Sequence, residues 1–170
     1  ATAAFVIVAA GLGLSLMPQE WHERMTTIKT YQEDRSAMGR INQWKSAINL
    51  ANDRFVGGGF ETWQRPVCQR YAPNPNDCRD VHSIYFEVLG EHGYLGLAFF
   101  LGLLAMTWRK CSAIIRRTRK DPTQLWARDL AAMIQVSMVG YMSAGAFLGL
   151  AYFDYIYHLV AVVVVTNHLV

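Results

Sequence analysis

His82 is the residue whose type and setting best suit proton chemistry in this chain. It sits near the start of Val81-His82-Ser83-Ile84-Tyr85-Phe86-Glu87-Val88-Leu89-Gly90-Glu91-His92-Gly93-Tyr94-Leu95-Gly96, which begins polar and runs without proline into the apolar segment Leu97–Met106. Imidazole takes and gives a proton near neutral pH, which a general base acting on a hydroxyl requires. Arg35 and Arg40 are a second candidate group. They fall near the start of an amphipathic stretch, where a helix N-terminus is already electropositive. They gain nothing from the dipole there and add to an anion-attracting spot, a local conflict of the kind found at functional sites. Glu87 shares a helical face with Ser83 and with Glu91. It lies about 140° around the helix from His82, so it cannot orient that imidazole by itself.

The element expected to position His82 is one continuous helix, starting outside a membrane and closed at the cytoplasmic face by Trp108 and the basic pair Arg109-Lys110. Measured up from Trp108, a hydrocarbon core of ~30 Å takes about 20 residues. Val88 then falls near the outer boundary and His82 roughly 9 Å above it, at the level of the lipid headgroups. Asp80 is placed to cap this helix, whose dipole favours a neutral imidazole at its N-terminus. Gly90, Gly93 and Gly96 leave one side bare for close approach by another backbone.

Hydrophobic residues make up 52% of the 170 and charged residues 17%, and the charge is unevenly spread. Apolar runs occupy Ala1–Met17, Tyr94–Trp108, Leu130–Leu150 and Tyr155–Val170. The fold class expected is all-α: a fragment of a multi-pass helical membrane protein with a large, partly helical periplasmic loop. Its divisions are a span at 1–17, the loop at 18–81 with an amphipathic helix at 36–55, and a helix at 82–108 that enters and crosses the membrane. A basic cytoplasmic loop at 109–129 follows, then spans at 130–150 and 155–170, the last cut short. Orientation comes from the short segment Arg109–Asp129, where seven Lys/Arg face only Asp121 and Asp129, whereas Pro18–Glu91 is near neutral. The net charge of +3 is therefore a topology signal and not a sign of nucleic-acid binding.

Within the loop, Ile41, Trp44, Ile48, Ala51 and Phe55 recur at helical spacing, with Ser36 as N-cap and Gly57-Gly58-Gly59 as the stop. This face suits packing on the spans or lying on the membrane surface. His22-Glu23 is not a metalloprotease start, because Thr26 stands where a second histidine belongs. Cys68 and Cys78 lie in a proline-rich part of the loop, on the oxidising side, while Cys111 falls on the reducing side. A Cys68–Cys78 disulfide would contribute roughly 2.7 kcal/mol on the chain-entropy estimate; two free thiols are the alternative. Two cysteines without a paired histidine do not make a zinc site.

Three motifs in order carry a resemblance: Gly39-Arg40-x3-Trp44, then Val56-Gly57-Gly58-Gly59-Phe60, then His82-Ser83-x-Tyr85-x-Glu87-x3-Glu91-x-Gly93-x2-Gly96-Leu97. The stretch Met38–Leu104 resembles the O-antigen ligase superfamily of bacterial inner-membrane glycosyltransferases, which includes lipid A-core ligases and exosortase-associated O-glycosylation ligases. The resemblance implies transfer of a glycan from undecaprenyl diphosphate to an acceptor hydroxyl, such as one on lipid A-core, with no metal and no cofactor. It also implies that His82 is the essential loop histidine and Arg40 the arginine of the Gly-Arg-x3-Trp pattern. Arg35, Arg65, Arg70, Arg79 and Glu87 are further candidates for substrate contact. The partners implied are the lipid-linked glycan, its acceptor and membrane lipids.

An O-antigen polymerase or protein O-oligosaccharyltransferase of the same superfamily is an alternative, separated by the acceptor used. A non-catalytic membrane subunit or transporter is a further one. A transporter calls for charged or broken helices near the midplane, which these spans almost lack. The charge asymmetry makes a direct prediction about sidedness. With cysteine introduced at either position, an impermeant thiol reagent on intact cells should reach position 69 and not position 116; labelling at 116 would reverse the orientation.

Overall fold

The computed structural model describes residues 34–60 and 62–170, in which every regular element is helical. The expected span at 1–17 and His22-Glu23 lie outside the described residues. Two compact units divide the chain, Ala1–Gly39 and Arg40–Val170. The elements are α1 (Arg35–Asp53), α2 (Arg65–Tyr71), α3 (Ile84–Thr118), a 3-10 turn (Pro122–Gln124), α4 (Leu125–Gly145) and α5 (Asp154–Leu169). Among the described residues one helix, α3, is long and apolar enough to cross a membrane.

The seam between α3 and α4 is written in both helices with one period. On α3 the buried residues Phe100, Leu104, Thr107, Cys111, Ile114 and Thr118 alternate steps of four and three. On α4 Ala127, Ala131, Ile134, Met138, Tyr141 and Gly145 do the same. A mean step of 3.5 residues keeps one face on a partner helix, the pattern of interlocking antiparallel bundles. Thr107 and Thr118 are tolerated in that seam because each hydroxyl donates to a carbonyl one turn back, Leu103 O and Ile114 O, both at 2.8 Å. Asp121-Pro122 ends α3, and Asp121 accepts the Thr123 N–H at 2.9 Å to close the turn. Ile156, Val163 and Thr166 of α5 are buried as well, and Arg117 donates to Asn167, joining the C-terminal ends of α3 and α5.

The helices differ from the expected divisions in ways that local chemistry explains. Nothing breaks the chain after Trp108, so α3 continues to Thr118 and takes up most of the basic segment that 109–129 was expected to form as a loop. The span expected at 130–150 is α4, shifted to Leu125–Gly145; Gly149 is therefore not helical. At the other end, Asp34 and not Ser36 caps α1, its Oδ1 accepting from Ser36 N at 2.7 Å. His82 stands ahead of α3, whose N-cap is Ser83.

α3 is also not one continuous helix. Gly93 has φ 64° and ψ −165°, which separates Ile84–His92 from the apolar remainder. Backbone groups at the break find partners in the segment after α1. Gly58 N donates to Gly90 O and Gly59 N to Glu91 O, each at 2.9 Å, while Tyr94 N donates to Phe55 O at 3.1 Å. The close backbone approach foreseen for the glycines is thus made at Gly93, where a Cβ would stand 1.9 Å from Phe55 O. Gly90 instead meets the Trp63 ring, 2.4 Å from where its Cβ would be. From Tyr94 to Thr118 the helix still runs roughly 37 Å, enough to cross a ~30 Å core.

Gly93→Ala should therefore be severely destabilising, because left-handed strain of order 1–3 kcal/mol adds to a backbone clash. Gly102→Ala meets open space and should be neutral or stabilising by up to about 1 kcal/mol. Thermal unfolding of the detergent-purified variants checks both; equal melting temperatures would mean the break is not held as described.

Candidate active site

The segment leading to His82 has no regular structure and contains Pro73 and Pro75, so its carbonyls cannot be satisfied by a ladder. α1 supplies the donors. Asn42 Nδ2 donates to Asn74 O and Asp77 O, both at 3.0 Å, while its Oδ1 accepts from Asn74 N at 2.8 Å. Gln43 Nε2 donates to Asp77 O at 2.7 Å, and Trp44 Nε1 to Val81 O at 3.0 Å. The buried face of α1 is consequently Asn42, Gln43, Ser46, Ala47, Leu50 and Ala51. The apolar face read from periodicity is turned partly outward, with Ile48 38% and Phe55 64% exposed. Hydrogen-bond demand from the loop brings Asn42 and Gln43 into the buried side beside the apolar Ala47, Leu50 and Ala51. Trp44 also stacks on Phe86 with ring centroids 5.0 Å apart, and a Cys68–Cys78 disulfide ties α2 to the same segment.

His82 follows the anchored Val81 and has a φ of 45°. Non-glycine residues enter that region at a cost, and such strain gathers at functional sites. Its Nδ1 faces Asp80 Oδ2 at 3.3 Å. Asp80 was expected to cap the helix; it partners the histidine instead. A carboxylate only accepts, so it favours the proton on Nδ1 and leaves Nε2 with the basic lone pair. Both side chains are about half exposed, 47% and 51%, so the pair orients more than it stabilises.

Asp80 belongs to a wider acidic group. Glu87 Oε2 accepts from Ala151 N at 3.1 Å, and the Glu87 carboxylate feels the charges of Glu91 and Asp80. Gly149 is next to both Asp80 and Glu87; a Cβ there would stand 3.1 Å from Asp80 Oδ2. The connection between α4 and α5 is strapped by tyrosines: Tyr141 OH donates to Leu150 O at 2.9 Å and Tyr157 OH to Ala151 O at 2.8 Å. Tyr152 OH donates to buried Glu91 and lies 2.9 Å from His92 Nε2. Burial, then the bond to Glu91, push the Tyr152 phenol well above its ordinary range, so it remains a donor. Phe60 meets the His92 ring edge-on at 4.9 Å.

The candidate arginines fall into different settings. Arg40 is half-buried one turn before Trp44, on the side of α1 that reaches the His82 segment. Among the described residues no carboxylate pairs with it. Arg70 pairs with Asp53 at 3.6 Å and Arg79 with Asp77 at 2.6 Å, so their charge is already compensated. Arg65 is exposed at the start of α2, and Arg35 is exposed at the start of α1. Among the described residues no three His, Cys, Asp or Glu side chains converge as a metal-ligand set. Sequence reasoning missed Asp80 as the partner of His82, and missed His92 and Tyr152. The first was signalled by the Asp-x-His spacing; the second pair, sixty residues apart, had no local signal.

The described chain is thus helical, with an acid–histidine pair just ahead of the one described helix long and apolar enough to cross a membrane. Residues 1–101 match the family model for O-antigen ligase. The chain belongs to the O-antigen ligase family, whose members are glycosyltransferase-like ligases of the inner membrane. No curated protein and no solved structure matches it.

Asn42→Ala should loosen the site from a distance. It leaves the Asn74 N–H without its acceptor and takes one donor each from Asn74 O and Asp77 O, at about 1–3 kcal/mol for a buried unsatisfied group. Faster amide exchange across 74–82, with α4 unchanged, is the expected result; uniform exchange in both regions would remove Asn42 from its anchoring role.

Proposed function

We propose that the chain transfers a glycan from undecaprenyl diphosphate to an acceptor hydroxyl, such as one on lipid A-core, at the periplasmic face of the inner membrane. His82 Nε2 takes the proton of the acceptor hydroxyl. The oxygen attacks the anomeric carbon, and the bond from that carbon to the diphosphate breaks, its electron pair leaving on undecaprenyl diphosphate with inversion at the anomeric centre. Asp80 holds the imidazole and stabilises the imidazolium that forms. Arg40 binds the diphosphate, since a planar guanidinium that is always charged matches phosphate oxygens. Donors aimed at developing charge act most strongly where water is scarce.

The observation that carries this reading is that Asp80–His82 follows the backbone anchored by Trp44, one turn from an arginine with no acidic partner among the described residues. Charge gives the two substrates different sides. Asp80, Glu87 and Glu91 repel a diphosphate, so the donor enters along α1 by Arg40. Asp80, half exposed, faces the acceptor, whose hydroxyls it can accept from. Apolar residues on the outer faces, among them Phe99 at 72%, Met133 at 64% and Val136 at 73% exposed, suit a multi-pass bundle in lipid with the Lys/Arg-rich end of α3 in the cytoplasm.

Reconstituted protein with donor and acceptor, donor binding and product being measured separately, tests the roles. His82→Ala should lower turnover by roughly 10²–10⁴ while donor still binds. His82→Gln should fail as well, and full turnover by that variant would leave His82 a positioning residue. Asp80→Asn should lose less than His82→Ala, again with donor affinity unchanged. Arg40→Ala should cost ~1.5–3 kcal/mol in donor engagement, which Arg40→Lys restores only in part.

A further inference from the structure

A groove of about 900 Å³ runs between α3 and α5, far from His82. Its walls are graded along the helix axis. On α3 the wall passes from Leu103 and Met106 to Arg109, Lys110 and Arg116 toward the helix's C-terminal end, and Val160 and Val164 of α5 form a facing apolar wall. The two helices run in the same direction here, since Arg117 near the end of α3 reaches Asn167 near the end of α5. Arg117 is occupied by that bond and Arg128 by Asp129, but none of the three groove cations has an acidic partner among the described residues. Three uncompensated cations closing one end of an apolar slot describe a ligand with a long apolar body and an anionic head.

The dimensions fix the ligand class further. From Leu103 to Arg116 is about 20 Å along the helix. One bilayer leaflet, headgroup included, is about 20–22 Å deep. The grading also runs as it does in a leaflet, apolar toward the bilayer centre and charged at the surface. On the orientation proposed above, that surface is cytoplasmic, where anionic lipids attract basic residues. The three cations lie about 24–35 Å along α3 beyond the break at Gly93, on the far side of it from His82, so the reacting diphosphate is not what they hold.

We propose that this groove binds one anionic phospholipid of the cytoplasmic leaflet. Its acyl chains lie along Leu103, Met106, Val160 and Val164, and its phosphate meets Arg109, Lys110 and Arg116. Such a lipid fills the slot between α3 and α5 and neutralises three like charges on neighbouring turns. It fixes the depth of the bundle in the membrane, and so the height at which His82 is presented.

The test is native mass spectrometry of the full chain released from nanodiscs that contain equal phosphatidylglycerol and phosphatidylethanolamine. The wild type should retain one phosphatidylglycerol in preference to phosphatidylethanolamine. Arg109→Gln/Lys110→Gln/Arg116→Gln should lose at least tenfold of that preference. Val164→Trp, which fills the slot and leaves the charges alone, should lose both lipids. Equal retention of the two lipids by the wild type, or an unchanged preference in the triple variant, would sink the proposal. Undecaprenyl phosphate displacing phosphatidylglycerol at equal concentration would assign the groove to the carrier lipid and overturn the phospholipid reading. So would absence of lipid together with cross-linking of Val164→Cys to another segment or a second copy. The readout requires no turnover, so inactivity of the wild type would count against the glycosyl-transfer reading alone.

Discussion

The contact that the outer half of the structure depends on is backbone against backbone, where Phe55–Gly59 docks on the break at Gly93. A helix interrupted near lipid exposes amides and carbonyls that must be satisfied at once. Here Gly58, Gly59 and Phe55 meet that demand with three hydrogen bonds to Gly90, Glu91 and Tyr94. The approach is possible only because Gly57 and Gly93 carry no side chain; at Gly57 a Cβ would stand 2.4 Å from Glu91 O. One consequence is mechanical: the apolar length of α3 is separated from the roughly two and a half turns that carry Glu87 and Glu91. Another is chemical, since the break aims Glu91 and His92 at Tyr152 on the connection between α4 and α5.

Two kinds of cohesion meet at that break. Below it, α3, α4 and α5 interlock through a regular 3.5-residue pattern with small and β-branched residues in the seam. In lipid such a seam gains little from the hydrophobic effect and is held by close packing and by internally satisfied hydroxyls such as Thr107 and Thr118. Above it, irregular backbone is held by side-chain donors one at a time: Asn42, Gln43 and Trp44 on the loop before His82, and Tyr85, Tyr141 and Tyr157 around the α4–α5 connection. Each such bond is worth about 0.5–1.5 kcal/mol net, yet removing one partner from a buried pair costs more than the bond gave. The upper half is therefore specific but brittle, and it fixes the backbone that leads into His82.

Charge is distributed with the same division of labour. Two of the candidate arginines are already paired, Arg70 with Asp53 and Arg79 with Asp77, within the loop. Arg40 has no acidic partner among the described residues, while Asp80 and Glu87 come together around Gly149 and Ala151. No single residue does this. α1 holds the segment before His82, and the α4–α5 connection meets Asp80 and Glu87.

Much of the helical content was legible in the residues: the apolar runs, the amphipathic stretch that became α1, and the basic end of α3 are local patterns. The family to which the chain belongs likewise followed from short motifs in order. The 3.5-residue seams were equally present in the sequence, since they involve only residues a turn apart. What the sequence left open concerns which face of α1 is buried, the partner of His82, and the break at Gly93. Periodicity is set by near neighbours, so it reports that a helix has an apolar face without reporting whether a distant loop will demand hydrogen bonds from another. A glycine likewise reads the same whether it sits inside a helix or ends one. Only the arrival of Phe55–Gly59, with its own unpaired amides and carbonyls, makes the left-handed conformation of Gly93 the lower-energy choice.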